Sequence, residues 1–163
     1  MTLGLINIVC TSNGDESVSE VIDGKKFADN LCAELKVEVA QLIAKENLLP
    51  CIAVVLVGDD PASHVYVKNK VLRCTQLGIK SIEHRLPMET EQAELLALIE
   101  TLNQDDGVHG ILVQLPVPKQ IADKALLAAI SPTKDVDGFH IQNVGALAVG
   151  EPIMVPCTPL GSL

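Results

Sequence analysis

Short apolar runs alternate with longer amphipathic stretches along the chain, and this pattern predicts strands that alternate with helices. The strongest strand candidate is 51–57, whose seven residues Cys-Ile-Ala-Val-Val-Leu-Val include no charged or amide side chain. A weaker strand is predicted at 79–86 and another strand at 108–115. Helices are predicted at 24–47, 61–77, 91–103 and 121–130, followed by a loop-rich segment through 131–140.

Capping residues mark where these helices begin and end. Asp60 is a good N-cap, Pro61 a good first helical residue and Gly78 a plausible C-terminal stop. Thr90 is predicted to cap the helix over 91–103, whose inward residues are predicted to be Ala93, Leu96, Ile99 and Leu102. In the first helix the apolar face is predicted to contain Phe27, Leu31, Leu35, Val39 and Leu42.

This order of elements predicts the fold class. Helices that alternate with strands favour βαβ crossovers and a parallel sheet that is covered on both faces. We therefore expect an α/β fold, a three-layer αβα sandwich with a mainly parallel sheet.

Composition narrows the class of partner. The 163 residues carry 12 lysines and arginines against 21 acidic residues, a net charge of −9 without a basic cluster. Binding to nucleic acid or an anionic membrane depends on such a cluster, so a small-molecule ligand fits better. No apolar run approaches the roughly 18 residues that would suggest a membrane span.

The cysteines and histidines show no spacing that is typical of a metal site. The five cysteines are scattered, odd in number and without a Cys-x-x-Cys pair, which favours free thiols in a reducing compartment. The four histidines lack a ligand spacing, so no metal is expected. The apolar stretch 3–10 has no basic residue before or within it and is a poor match to a targeting signal.

Tyr66 and Lys70 stand four residues apart in the helix that follows the strand 51–57. That spacing places both side chains, with Ser63, on one stripe near the carboxyl end of the strand. Small ligands usually bind at this position in α/β sheets, where a partly desolvated lysine becomes a usable acid or base. An ordinary amphipathic helix with a surface lysine would show the same spacing.

Two further segments carry candidate polar groups. Gln114 ends the apolar strand 108–115, where an amide is either a satisfied core group or a ligand contact. If the sheet is parallel, Gln114 could face Lys70. Asp135 and Asp137 flank one apolar residue in a glycine-containing loop, which is either a ligand site or a turn.

Signatures of several enzyme classes are absent from the sequence. It contains no Gly-x-Ser-x-Gly elbow, no Walker loop and no Gly-x-Gly-x-x-Gly. Short-chain dehydrogenases also use Tyr-x-x-x-Lys, but they pair it with an upstream glycine-rich turn, and none precedes Tyr66.

Five ordered motifs carry a resemblance: Val57-Gly-Asp-Asp-Pro-Ala-Ser63, Tyr66-Val-Lys-Asn-Lys70, Gly110-Ile-Leu-Val-Gln-Leu-Pro116, Lys134-Asp-Val-Asp-Gly-Phe-His140 and Pro156-Cys-Thr-Pro159. Together they closely resemble the bifunctional methylenetetrahydrofolate dehydrogenase/methenyltetrahydrofolate cyclohydrolase family, in its N-terminal, folate-facing half. The resemblance implies an extension over 1–20 and a folate-binding catalytic domain over 21–155. It also implies that 156–163 begins the connection to an NADP-binding Rossmann domain that this chain lacks.

The resemblance also implies roles for single residues. Lys70 would exchange protons while water attacks the methenyl carbon and the ring opens to the formyl product. Gln114 would hold Lys70, Tyr66 would stack on the folate rings, and Asp137 would accept hydrogen bonds from the pterin. These four are the implied catalytic residues. The remaining implied substrate contacts are Ser63, Val113, Leu115 and Pro116, with Asp135 shaping the site.

By the same resemblance, the parent enzyme would oxidise methylenetetrahydrofolate with NADP and hydrolyse the product to formyltetrahydrofolate. It would act as a cytoplasmic homodimer in one-carbon metabolism and purine biosynthesis. Departures from the family pattern at Val71, Leu72, Ile141 and Ala146 affect expected affinity for the acidic folate tail. Two alternatives stay open: a non-catalytic folate-binding or scaffold fragment, and an unrelated α/β enzyme that uses Tyr66 and Lys70 on another carbonyl or imine.

Overall fold

Helices and strands alternate along residues 22–161, the part of the chain that the computed structural model describes. The predicted extension over 1–20 lies outside the described residues. The elements are α1 (Gly24–Glu46), β1 (Cys51–Val57), α2 (Pro61–Leu77), β2 (Lys80–Leu86), α3 (Gln92–Gln104), β3 (Gly110–Val113), α4 (Asp123–Ala129), α5 (Ile141–Ala148) and α6 (Cys157–Leu160).

β1 is the centre of a three-stranded parallel sheet with the order β2-β1-β3. Its register aligns Val57 with Leu86 on one side and Val55 with Val113 on the other. Because all three strands run in the same direction, their carboxyl ends lie along one edge of the sheet. The apolar sequence of β1 suits this central position, in which every residue but Ile52 is buried.

Helices cover both faces of the sheet. On one face, Val55 of β1 packs with buried residues of α3 and α4, among them Ile99 and Leu126. On the other face, Leu56 packs with Val67 of α2, and α1 packs in turn against α2. The predicted α/β fold and its three-layer αβα arrangement are therefore confirmed.

The first helix is formed as predicted, but its apolar stripe remains largely accessible. Asp23 caps it by accepting a hydrogen bond from the main-chain nitrogen of Lys26 at 3.0 Å. No residue of α1 is buried, and Phe27 is 71% exposed. Sequence periodicity thus predicted the position of the helix. It did not predict that the apolar side of the helix would remain accessible.

The third helix differs from its prediction in two respects. It begins at Gln92 with Glu91 at the cap position, so the predicted capping role of Thr90 is wrong. The buried stripe contains Leu95, Ile99 and Leu102, whereas Ala93 is exposed. The predicted spacing of three residues drifts around a helix, while the observed steps of four and three follow its period of 3.6.

Other boundaries moved by a few residues. β3 is limited to Gly110–Val113 and α4 to Asp123–Ala129, both shorter than predicted. α5 (Ile141–Ala148) was not predicted, and it begins where the imidazole Nδ1 of His140 accepts a hydrogen bond from Gln142 at 3.2 Å. Within the described part of the chain, no helix combines the length and apolar character needed to cross a membrane.

We expect Thr90→Val to raise the free energy of unfolding by about 1 kcal/mol. Thr90 is 2% exposed, and its hydroxyl has no hydrogen-bond partner among the described residues. An apolar isostere therefore removes a desolvation penalty without losing a bond. Urea unfolding followed by circular dichroism measures the change.

The matched control is Thr101→Val. The hydroxyl of Thr101 is exposed and donates to the main-chain oxygen of Ala97 at 2.9 Å, so its removal is expected to change stability by less than about 0.5 kcal/mol. Destabilisation by Thr90→Val would show that the hydroxyl contributes to the fold.

Candidate functional site

The turn between β1 and α2 directs the chain from the sheet edge into the helix that carries Lys70. Gly58 adopts a φ of +86°, and a Cβ at this position would lie 2.8 Å from Cε of Met88. This left-handed backbone conformation favours glycine. The tight turn brings α2 back across the carboxyl end of β1.

Asp60 caps α2, as the sequence predicted, and its partner in the cap is Ser63. Oδ2 of Asp60 accepts a hydrogen bond from the main-chain nitrogen of Ser63 at 2.7 Å. Hydrogen bonds from Ser63, first from its main chain and then from its side chain, lower the pKa of Asp60. Ser63 is buried at this helix start, so it acts on the site by holding α2 in place.

Lys70 and Gln114 meet across the edge of the sheet. Nζ of Lys70 donates a hydrogen bond to Oε1 of Gln114 at 3.3 Å. The amide is oriented by its own Nε2, which donates to the main-chain oxygen of Leu115 at 2.7 Å. The main-chain nitrogen of Gln114 also donates to Val55 at 2.8 Å, so the residue continues the β1–β3 ladder.

Lys70 lies in the wall of a cavity of about 350 Å³ on the α2 face of the sheet. Apolar side chains of β1 and β3 form its floor, and Asp137 lies in its wall. The lining residues are Ile52, Val54, Lys70, Cys74, Leu112, Val136, Asp137, Cys157 and Thr158. A cleft that joins an apolar surface to an amine and a carboxylate suits a flat, polar-edged ligand.

Asp137 is held in the cavity by the loop that joins α4 to α5. The main chain at Asp135 pairs with Ile111 in a parallel bridge, which continues the sheet beyond β3 by one residue. Gly138 then turns with a φ of +70°, where a Cβ would lie 3.2 Å from the main-chain nitrogen of Pro156. The loop is therefore confined on both sides of Asp137.

Burial raises the pKa of Asp137. The positive charge of Lys70 lowers it in part, and the negative charge of Asp135 raises it further. The carboxyl group is therefore costly to keep ionised without a ligand. A ligand that donates hydrogen bonds to it would offset that cost.

Lys134, in the same motif as Asp137, contacts α3 and not the cavity. Its Nζ donates to the main-chain oxygens of Leu102, Asn103 and Asp105 at 2.8–3.1 Å. These are carbonyl groups at the carboxyl end of α3, which lack partners inside their helix. Lys134 thus fastens the loop to the opposite layer of the sandwich.

The other predicted contact residues occupy different positions. Tyr66 is 62% exposed on α2, so its ring is accessible, although it does not line the cavity. Val113 packs in the core and Leu115 packs against it. Pro116 is exposed and follows a cis peptide bond.

The cavity also contains residues that were not among the predicted contacts. Cys74 stands four positions after Lys70 and therefore continues the helical stripe of Tyr66 and Lys70. Cys157 and Thr158 belong to a motif that sequence reasoning had noted without giving these residues a role. The periodicity of α2 was a sufficient signal for Cys74, whereas α6 reaches the cavity only through the tertiary fold.

The described residues contain no group of three or more histidine, cysteine or acidic side chains that could hold a metal ion. The chain also lacks a glycine-rich turn of the dinucleotide-binding type. The cavity presents the amine of Lys70 and the carboxyl group of Asp137 to a ligand.

Comparison with known families identifies this arrangement. Residues 22–137 match the family model described as "Tetrahydrofolate dehydrogenase/cyclohydrolase, catalytic domain". The chain belongs to this family. The matched range includes β1, α2 and β3, and it ends at Asp137 of the cavity.

Individual members of the tetrahydrofolate dehydrogenase/cyclohydrolase family are also similar in sequence. "Bifunctional protein FolD" of Magnetococcus marinus is 58% identical over 144 residues, which are 88% of this chain and 50% of that protein. "Bifunctional protein FolD 2" of Paracoccus denitrificans is 56% identical over 143 residues, 88% of this chain and 47% of the relative. The chain spans about half the length of the curated relatives that it matches.

Solved structures of the family share the fold. The bifunctional FolD enzyme of Campylobacter jejuni superposes with a TM-score of 0.83 at 50% identity, over 86% of this chain and 50% of that one. The Trypanosoma brucei enzyme, described as complexed with NADP cofactor and inhibitor, gives a TM-score of 0.81 at 34% identity, over 85% and 48% of the two chains.

We expect Asp137→Asn to stabilise the ligand-free protein at neutral pH. A raised pKa means that the folded state favours the neutral carboxyl, so its stabilising contribution is present below the ordinary aspartate pKa of about 3.9 and is lost as the pH rises through the raised value. Asparagine stays neutral throughout. Urea unfolding at about pH 7.5 and about pH 3 tests whether the gain is confined to the higher pH.

Asp106→Asn is the control, because Asp106 is exposed in a loop. We expect it to change stability little at either pH. A loss of stability in Asp137→Asn at neutral pH would contradict the assigned desolvation cost.

Proposed function

We propose that this chain is the folate-binding catalytic half of an enzyme that oxidises methylenetetrahydrofolate with NADP and hydrolyses methenyltetrahydrofolate. The observation that carries the proposal is the hydrogen bond from Lys70 to Gln114 in the wall of the cavity that also holds Asp137. Three separate elements supply these side chains. Their convergence is the feature that a plain amphipathic helix with a surface lysine would not show.

The cavity suits the pterin part of a folate. Its volume of about 350 Å³ lies within the range of about 300–1,000 Å³ that is typical of small-molecule sites. Ile52, Val54 and Leu112 supply an apolar floor for a flat ring system. Asp137 can accept hydrogen bonds from ring N–H and amino groups, and the accessible ring of Tyr66 can stack on the remaining aromatic part of the ligand.

Lys70 is the residue placed to move protons during hydrolysis. Water adds to the methenyl carbon, a C–N bond of the ring breaks, and one proton must leave the oxygen while another reaches the departing nitrogen. Gln114 holds the amine through a neutral acceptor, which positions it in the cleft. We assign to this amine the transfer of protons to and from the reacting groups.

The residues of this chain do not fit NADP. The sequence lacks Gly-x-Gly-x-x-Gly, and the main feature of a dinucleotide site is therefore absent. We assign no hydride step to residues of this chain. We propose that NADP binds to the part of the parent enzyme that corresponds to the unmatched half of the relatives. NADP is named with the related Trypanosoma brucei structure.

We also infer a cytoplasmic, homodimeric parent enzyme that binds neither nucleic acid nor membranes. Cys32, Cys51, Cys74 and Cys157 are free thiols, which suits a reducing compartment. The net charge of −9 disfavours polyanionic partners. An exposed apolar stripe on α1 leaves room for further protein contacts.

We expect Lys70→Met to lower the hydrolysis of methenyltetrahydrofolate by at least about 10²-fold while the fold is retained, because the proton-transferring group is removed. Hydrolysis is followed by absorbance in the full-length protein. Folate binding is measured by calorimetry in that protein and in the present chain.

Lys68→Met is the matched control, because Lys68 is an exposed lysine of the same helix, two positions before Lys70. We expect it to retain nearly full turnover. Unchanged turnover in Lys70→Met would contradict the mechanism, and binding without turnover in the wild-type full-length protein would favour a scaffold role. Absence of folate binding in both proteins would favour an unrelated enzyme.

A further inference from the structure

The loop that carries Asp137 is tied to α5 by a single buried side chain, Asn143. Asn143 is 1% exposed, and its Nδ2 donates to the main-chain oxygen of Pro132 at 2.9 Å and to Oδ2 of Asp135 at 3.0 Å. Both acceptors lie in the loop, on the amino-terminal side of Asp137. One amide therefore holds two of the loop residues that precede Asp137.

Asp135 extends this connection past Asp137. The same Oδ2 atom that accepts from Asn143 also accepts from the main-chain nitrogen of His140 at 2.8 Å. The carboxylate thus joins loop residues on either side of Asp137. Its own main chain is fixed to the sheet by the bridge with Ile111.

Burial of the polar atoms in this network costs free energy of folding. Asp135 is 2% exposed, and within residues 22–161 it forms no ion pair with a basic side chain. Oδ1 of Asn143 is buried without a hydrogen-bond partner in the described part of the chain. The unsatisfied amide oxygen opposes folding, so stability alone does not account for this arrangement.

We propose that Asn143, acting through Asp135, is a positioning residue that holds Asp137 in the geometry required for folate binding. The inference rests on the proposed function for its ligand. The claim that Asn143 positions Asp137 concerns the ligand-free protein and does not depend on the proposed function. The network fixes the loop on both sides of Asp137, so the loop cannot carry Asp137 away from the cavity without breaking buried hydrogen bonds.

The electrostatic surroundings agree with this role. The groups around Asp137 are Lys70 and Cys74 from α2, Cys157 from α6 and Asp135 from its own loop. Desolvation raises the pKa of Asp137 most, and the charge of Asp135 adds to that effect. A loop that loosened would admit water to Asp137 and lower its pKa toward the ordinary value.

Asn143→Ala and Asn103→Ala form a matched pair of variants. Asn103 also makes two hydrogen bonds, from Nδ2 to Ala129 at 2.7 Å and from the main-chain nitrogen of Ser131 to its Oδ1 at 2.8 Å. It holds the chain that enters the same loop, but it does so from α3, and its two side-chain hydrogen bonds go to Ala129 and Ser131. Both variants lose two bonds, and only Asn143→Ala loses the bond to Asp135.

We expect Asn143→Ala to weaken binding of methenyltetrahydrofolate to the present chain about tenfold, against less than about twofold for Asn103→Ala, because a misplaced binding group loses affinity steeply. Carbon-13 NMR titration of the Asp137 carboxyl in the ligand-free protein is expected to show a lower midpoint in Asn143→Ala and an unchanged one in Asn103→Ala. A structural role alone would affect both variants alike.

Asp135→Asn separates geometry from charge. Both hydrogen bonds to Asp135 end on Oδ2, so an amide oxygen in that place retains them while the charge is lost. We expect a lower Asp137 midpoint and a smaller loss of affinity than in Asn143→Ala. If Asn143→Ala does not fold, Asn143→Ser replaces it with the same expectations.

Equal effects of the Asn143 and Asn103 variants on the Asp137 midpoint, or wild-type affinity in the Asn143 variant, would overturn the positioning role. If neither the wild-type chain nor the full-length protein binds folate, the proposed function fails instead. The ligand-free titration then still decides whether Asn143 controls Asp137.

Discussion

The parallel pairing of β1 with β3 is the constraint on which the site depends. It brings the carboxyl ends of both strands to one edge. As a result α2, which is separated from β1 by three residues, and Gln114, which follows β3, approach each other. The apolar residues of β1 make this pairing stable because they are buried on both faces. A shift of one residue in the register would turn the side chain of Gln114 to the opposite face of the sheet.

The polar groups of the site partly offset one another's cost of burial. Burial raises the pKa of Asp137 and so favours its neutral form. The positive charge of Lys70 offsets this rise in part. Gln114 holds Lys70 through an amide that is itself oriented by the main chain. A ligand that supplies hydrogen bonds to these polar groups would therefore lower the free-energy cost of burying them.

Local chemistry explains what the sequence predicted well. Asp60, Pro61 and Gly78 bound α2 as expected, and the spacing of Tyr66 and Lys70 identified the helix face. The prediction that Gln114 faces Lys70 followed from parallel topology and is confirmed at 3.3 Å. The resemblance of five motifs added the substrate class, which spacing alone left open.

Tertiary effects explain what was missed. Thr90 resembles a cap, but α3 begins one residue too late for it to act as one. α5 is short, contains Gly145 and begins at a histidine, so neither propensity nor capping indicated a helix. The role of Asn143 depends on acceptors that lie in a loop eight and eleven residues earlier, and no periodic pattern relates them.

The most direct test of this account is a crystal structure of the protein with bound methenyltetrahydrofolate or a stable analogue. We predict that the pterin edge hydrogen-bonds to Asp137 and that the one-carbon centre lies within hydrogen-bond reach, directly or through one water, of Nζ of Lys70. A ligand bound away from this cavity, or a one-carbon centre out of reach of Lys70, would contradict it.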